Sequence, residues 1–425
     1  MEEEIENVII ERITNRQEKL NEEILKEIGE ILGKIGNLTP SEAYTIGQQL
    51  KYGESLDKIV ALISKYSNIN EVEIYKMLEN EAKTNLAFSE KYFKAKSIDF
   101  IPYEQNIPLQ NKVREIAITT INEYRNISRT TGLTFLGNAN NRLTKPIKEA
   151  YYEIVDNAIN DVAMGKETFF EGLKRQLKTI GRSGVQSIEY ESGYHRRIDS
   201  ALRMNLQDGL NALSIAQQEI VGEQFGANMV EITHHEHSAP DHIDSVDGKQ
   251  FAKIDVIRKQ IASGEEKEIK LEDIQDNRVR VKGKWYYDFD YINNNLPRKV
   301  SQWNCYHRIF AGVLGIDKPR YSKEELEKDK KKNEEGFKYE NKHYTLYEAS
   351  QKMRQMELKI RKNRESNISL KNSLKQIQDK IGKEKIQEQI NRNNYTINIL
   401  INKYHDFSKK SGLPTKLERT RILTK

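Results

Sequence analysis

Apolar residues spaced three and four apart, over segments far longer than a strand, set the terms for this chain. Ile24, Ile28, Ile31 and Ile35 form one stripe among Glu and Lys residues, and a repeat near 3.6 gathers them on one side of a helix while the charges face water. The spacing returns in Ile198, Leu202, Leu206, Leu210 and Leu213, in Leu346, Ala349, Met353, Met356 and Ile360, and in Leu370, Leu374, Ile377 and Ile381. Only 8 prolines and 23 glycines occur in 425 residues. Both residues interrupt helices, so their scarcity lets the periodic segments run. A hydrophobic fraction of 37% against 31% charged suits long exposed helices better than one compact ball.

Local signals mark where helices start and stop. Thr39, Pro40, Ser41 and Glu42 read as a capping box with proline in the first turn; Asn70 and Glu73 repeat the device before Ile74 and Leu78, and Ser322 and Glu325 repeat it after Pro319. Gly132, Gly137, Gly165, Gly181 and Gly184 are expected to break the helical pattern that extends from Leu109 to Phe225. The texture changes at Met229-Val-Glu-Ile-Thr, Val279-Arg-Val-Lys and Trp285-Tyr-Tyr, where β-branched and aromatic residues predict short strands. Lys323 to Glu335 reads as a mixed-sign solvated face or a linker. Beyond it, a reversal near Gly382 before Ile386, Ile390 and Ile397 predicts a helical hairpin or coiled coil. The fold class is mainly α with a small α+β insert, and the length argues for two or three domains. The expected division is an N-terminal helical module over 1–104, a central helical and short-sheet domain over 105–320, and a C-terminal hairpin with a basic tail over 321–425.

Several function classes are disfavoured. The net charge of +5, from 69 basic and 64 acidic residues, does not by itself indicate nucleic-acid binding. A single cysteine, Cys305, excludes an intramolecular disulfide and fits a reducing compartment. The opening MEEEIENVII is acidic where a signal peptide is basic, and no run approaches the ~18 to 20 apolar residues of a membrane span. The chain is expected to be made in cytoplasm and kept there or in a particle assembled there, with no membrane partner. Neither GxxxxGK[ST] nor GxGxxG occurs, so nucleotide-driven work is unsupported. The basic end from Lys403 to Lys425 could touch DNA or an acidic partner; a solvated end is the plainer reading.

Chemistry concentrates in one region. Five of the 8 histidines are His234, His235, His237, His242 and His307, and Cys305 lies beside the last of them. Imidazole and thiolate are the preferred zinc ligands, and His237, His242, Cys305 and His307 could close a structural tetrahedral site. Alternatively the histidines hydrogen-bond their loops and Cys305 is a small buried hydrophobe. A third reading takes Asp241-His242-Ile243 with Asn304 and His307 as similar to the metal-dependent HNH nucleases, although no supporting cysteine pairs are present. ADP-ribosyl transfer would need a Glu-x-Glu element, and Glu189-Tyr-Glu191 and Glu71-Val-Glu73 match only trivially.

Several segments, in order, resemble the second family of phage minor capsid proteins, related in role to the phage Mu F-like head-morphogenesis proteins. They are Ile188-Glu-Tyr-Glu-Ser-Gly193 leading to Arg203, then Val230 through His242 to Gly248-Lys249, then Trp303-Asn304-Cys305-Tyr306-His307, and finally Tyr344 to Arg361 with Phe407 to Leu413 and Glu418 to Arg421. The likeness covers roughly Tyr151 to Arg421. Asp247 stands where the family pattern has Gln, Tyr306 where it has Arg, and Ser238-Ala-Pro240 replaces Gly-Ala-Arg-Pro. The resemblance implies a structural protein rather than an enzyme, present in few copies in the head of a tailed bacteriophage. It implies a place at the portal protein among other capsid components, in a particle assembled in the bacterial host cytoplasm, with packaged DNA within reach of the basic tail.

Overall fold

A computed structural model describes residues 2–46, 53–96, 98–137, 141–187, 195–302, 305 and 307–423. Helices run over Glu2–Ile35 (α1), Pro40–Ile46 (α2), Gly53–Lys96 (α3), Ile107–Arg129 (α4), Ile147–Met164 (α5), Lys166–Ser183 (α6), Ile198–Phe225 (α7), Pro240–Ile243 (α8), Ile254–Ser263 (α9), Phe289–Asn294 (α10), Lys323–Glu335 (α11), Leu346–Gln376 (α12) and Lys380–Ser411 (α13). The protein is mainly helical with small antiparallel sheets. All five apolar residues of the α7 stripe are buried.

The capping boxes at Thr39 and Ser322 form as expected: Glu42 N–H donates to Thr39 Oγ1 at 3.2 Å while Glu42 accepts from Thr39 N–H at 2.8 Å, and Ser322 and Glu325 do the same. No helix begins at Asn70 and Glu73, where a capping box was expected, because α3 runs through them. Glu73 instead receives Arg16 of α1 at 2.6 Å and Arg12 at 3.3 Å, and a residue type that can cap a helix pairs two helices instead. Gly181 likewise lies inside α6 rather than at a break, and Lys323 to Glu335 is a helix rather than a linker.

The chain divides into two compact units, the first built from Met1–Glu73, Asn122–Arg203 and Gln351–Lys425. It contains strands β1 (Thr131–Leu136), β2 (Arg142–Pro146), β3 (Val185–Ser187) and β4 (Arg196–Arg197), paired antiparallel in the order β2-β1-β3-β4. This sheet falls where only helix was expected; β3 and β4 are too short to alternate, and β1 is buried along most of its length and so shows no clean alternation. Ile24 and Leu25 of α1, Phe135 of β1, Ile154 of α5, Phe169 of α6, Leu370 of α12 and Ile390 of α13 share one core. Met353, Met356 and Ile360 are buried as well. Two helices meet without intervening side chains. A Cβ on Gly29 would lie 2.3 Å from the Ser369 carbonyl oxygen, and one on Gly33 would lie 2.5 Å from that of Ser373. One turn separates the members of each pair, so a ridge of α12 backbone runs in a groove that glycine leaves in α1. The basic end does not trail into solvent: Leu423 N–H donates to Glu22 at 2.8 Å, and Arg364 donates to the Thr420 carbonyl at 2.7 Å.

Beside this contact lies a buried ionic cluster. Arg197 meets Glu365 at 2.8 Å and Asp199 at 3.1 Å, while Arg361 meets Asp199 at 2.5 Å and also pairs with Glu18. Burial pushes Glu18 up to about 7 from an ordinary value of 4.5, against the pull of Arg361 and with help from Asp199 and Glu365. A carboxyl raised on folding binds its proton more tightly in the folded state. Its contribution to stability is therefore fully present below about 4.5 and lost as pH rises through about 7. Urea midpoints measured across this window should fall with pH more steeply in the wild type than in Glu18→Gln, and parallel curves would refute the assignment.

The second unit, Ile74–Ile121 with Met204–Ser350, contains three small antiparallel arrays. β5 (Met229–Ile232) lies between β10 (Ile309–Gly312) and β6 (Gln250–Ala252); β7 (Ile274–Gln275), β8 (Arg278–Val281) and β9 (Lys284–Tyr287) form a meander; β11 (Phe337–Tyr339) and β12 (Lys342–Tyr344) form a hairpin. The strands foreseen at Met229, Val279 and Trp285 are thus present. Ile232 of β5 pairs with Ile309 of β10, so the segment leaving β5 and the segment entering β10 emerge at the same end of the sheet. Thr233 Oγ1 accepts from Arg308 N–H at 2.9 Å and ties the two together.

Candidate metal centre

The segment after β5 reaches α8, a single turn with Pro240 in its first position, and places His242 on it. The His242 carbonyl then accepts N–H groups from Val246 at 2.9 Å and Asp247 at 3.1 Å, turning the chain back toward β6. The segment before β10 contributes Cys305 and His307. His242, Cys305 and His307 are 0%, 1% and 4% exposed. Their ligand-type atoms converge: Nδ1 of His242 lies 3.2 Å from Nδ1 of His307, and Cys305 Sγ lies 3.7 Å and 3.4 Å from them. Zinc bonds of ~2.0 to 2.1 Å to nitrogen and ~2.3 Å to sulfur in a tetrahedron imply edges of about 3.3 Å and 3.6 Å. The observed triangle has those dimensions.

The outward nitrogens explain why the inward ones are short of a partner. His242 Nε2 donates to the Arg298 carbonyl at 2.8 Å, and His307 Nε2 donates to Asp247 Oδ1 at 2.8 Å. These acceptors put the proton of each neutral ring on Nε2, so both Nδ1 lone pairs point at one another. The single thiol proton can satisfy only one of them. Burial lowers His307 below the usual histidine range and raises Cys305 above the usual thiol range, so neither added protons nor a bare thiolate resolves the crowding cheaply. A divalent cation at the centre does, displacing the thiol proton and accepting all three lone pairs. The donor set and its geometry fit zinc.

Asp247 anchors the surroundings. Its Oδ1 accepts from His307 Nε2 and, at 2.6 Å, from Ser238 Oγ, while Oδ2 accepts from His234 Nδ1 at 2.5 Å. Burial opposes its ionisation, but the hydrogen bonds from His234, His307 and Ser238 prevail and hold the carboxyl well below the usual range. His234 reaches on to Asp329 of α11 at 3.0 Å. With a carboxylate at each nitrogen, the hydrogen bond to Asp247 foremost, its proton affinity rises. A carboxylate orienting a ligand histidine is the usual outer shell of a zinc site. Asp247 was visible in sequence only as a departure from a family pattern.

Of the four residues proposed from sequence as ligands, three converge. His237 is not among the side chains whose ligand atoms cluster; its Nδ1 is buried without a hydrogen-bond partner. His235 packs its ring edge-on against His307, with centroids 4.9 Å apart. Gly248 has φ +68° and would place a Cβ 2.5 Å from Leu326 of α11, which accounts for glycine there. Lys249 is exposed and its Nζ donates to the Asp244 carbonyl. Arg203 sits half-buried on α7. Trp303, Asn304, Tyr306 and the Ile188 to Gly193 element lie outside the described residues. Glu71 and Glu73 are engaged by Arg125 and Arg16.

No helix among the described residues is long and apolar enough to cross a membrane. No curated protein and no solved structure matches the chain. The family described as phage minor capsid protein 2 matches residues 7–401, a span that takes in the long helices as well as the His and Cys segments. The chain therefore belongs to the phage minor capsid protein 2 family.

Proposed function

We propose that the protein is a head-morphogenesis component of the tailed-phage virion, seated in few copies against the portal inside the head, and that its zinc centre pins loops rather than performing catalysis. The observation that carries the structural reading of the centre is burial: His242 is 0% exposed. A nuclease histidine must reach a water beside a phosphodiester, and a metal that acts on substrate needs its open position to face solvent; the three converging side chains leave one position, but all three are buried. The side chains around this centre instead bind one another, which is how a site that fixes loops is built.

Portal association is supported by family membership and by what the core leaves outside. Met353, Met356 and Ile360 are buried, whereas Tyr395 and Ile399, one turn apart on α13, are exposed. An apolar pair on a long helix suits packing against another protein. Co-expression with the cognate portal should give a complex that survives purification, and quantitative mass spectrometry of virions should find few copies per particle. No complex and no virion copies would overturn the proposal. Metal-dependent DNA cleavage that is lost in His242→Ala and His307→Ala would replace the structural reading with the nuclease one.

A further inference from the structure

In the first unit, several half-buried cations meet carboxylates. Arg197 and Arg361 lie in the ionic cluster, and Lys174 and Lys385 share Glu171 at 2.8 Å and 3.2 Å. Lys178 and Arg182, one turn apart on α6, are different. The charged groups facing Lys178 are Arg182 and Lys174 on its own helix and Arg392 of α13, all cations; Arg392 pairs with Glu388. Arg182 faces Arg142 of β2. It donates one Nη to Asn363 at 2.6 Å, and its Nε is buried without a partner. Folding has gathered like charges at the junction of a helix and a sheet edge with no described carboxylate between them. Burial and the neighbouring cations lower the proton affinity of Lys178. Such an arrangement is unfavourable until an anion arrives.

We propose that Arg142, Lys178 and Arg182 form a binding site for the phosphodiester backbone of double-stranded DNA. The guanidinium groups supply forked donors for phosphate oxygens and the ammonium a point charge. Contacts to phosphate oxygens fix a protein on the duplex and carry no sequence information, so binding at this site is independent of sequence. The identity of the anion rests on the head-interior reading, where DNA is the abundant polyanion; the site itself rests on the side chains. The basic tail is a poorer candidate, because Arg419 lies 3.8 Å from Glu357 and Lys410 lies 3.3 Å from Asp406.

The test is fluorescence anisotropy of the full chain with a labelled random-sequence duplex between 50 and 200 mM salt. Arg142→Gln with Lys178→Gln should weaken binding about tenfold or more and reduce the salt slope by about two, one for each lost phosphate contact. Arg182 is left in place because it holds Asn363. The double variant should melt no lower than wild type, since it removes repulsion and no bond. Unchanged DNA affinity in the double variant would overturn the proposal, as would loss confined to Lys409→Gln with Lys410→Gln. So would polyglutamate competing as well as DNA, which would indicate an acidic protein partner, or inorganic phosphate binding without DNA. Copy number in virions carrying the double variant is a separate readout: normal incorporation with unchanged DNA binding would overturn only this site, not the assignment to the head.

Discussion

Protein purified under reducing conditions is expected to contain one zinc per chain, and stripping it with a chelator should destabilise the second unit by about 4 kcal/mol when free zinc otherwise exceeds Kd a thousandfold. The three ligands come from two segments, with His242 sixty-three residues before Cys305, so the metal ties together loops that the unfolded chain holds apart. His242→Ala and Cys305→Ser should each lose stoichiometric metal by elemental analysis and melt where the stripped wild type melts. The informative contrast is Cys305→Ala in stripped protein. If the pocket merely packs a small hydrophobe, that variant behaves like untreated wild type; if the pocket is built for an ion, the stripped wild type is already destabilised and the substitution changes little further. Acidification should release metal because both rings and the thiol must shed protons to bind it. Metal-free protein with an unchanged melting point after chelation would end the zinc assignment.

Gly33→Leu is expected to be the most damaging single substitution in the first unit. Its Cβ alone would stand 2.5 Å from the Ser373 oxygen and 2.9 Å from Ser373 Cα, both backbone atoms that cannot swing aside. Overpacking commonly costs about 1 to 3 kcal/mol when side chains can yield. Here two helices must separate along the whole seam, so about 4 kcal/mol or outright failure to fold is expected. Gly33→Ala should lose less than Gly33→Leu and more than an exposed helix substitution such as Lys34→Ala. Urea unfolding followed by circular dichroism orders the three, and equal midpoints would mean that α1 and α12 do not pack in this way.

The same seam shows what could be read from sequence and what could not. Isoleucine and leucine stripes announced α1, α7, α12 and α13 because burial of apolar area leaves a period. Glycine and serine at matched intervals leave no such period; their role is the absence of bulk, which acquires meaning only when the partner helix is known. The sheet at residues 131–197 was missed for a related reason: β3 and β4 are only three and two residues long, and β1, at six, is buried along most of its length rather than alternating. Asn70 and Glu73 misled because a carboxylate that can cap a helix can equally bind two arginines from another one. At the candidate metal centre, residue chemistry picked out His242, Cys305 and His307 but also His237, which does not join them, whereas Asp247 and the Arg298 carbonyl became visible only through which ring nitrogen each one holds. Asp247, which looked like a weakening of the family pattern, is the residue that orients His307.

The composition of the first unit has a consequence for biosynthesis. Its core joins Leu20 and Ile24 to Leu370 and Ile390, so α1 waits for the much later α12 and α13. At about 5 to 20 residues per second the interval is tens of seconds. Throughout it α1 can pack against β1, α5 and α6, but the part of the core that α12 and α13 complete stays open. A nascent chain in this state is a client for chaperones and a hazard for premature association. The first unit closes only once α12 and α13 have been made, which makes their synthesis a timing signal for its folding.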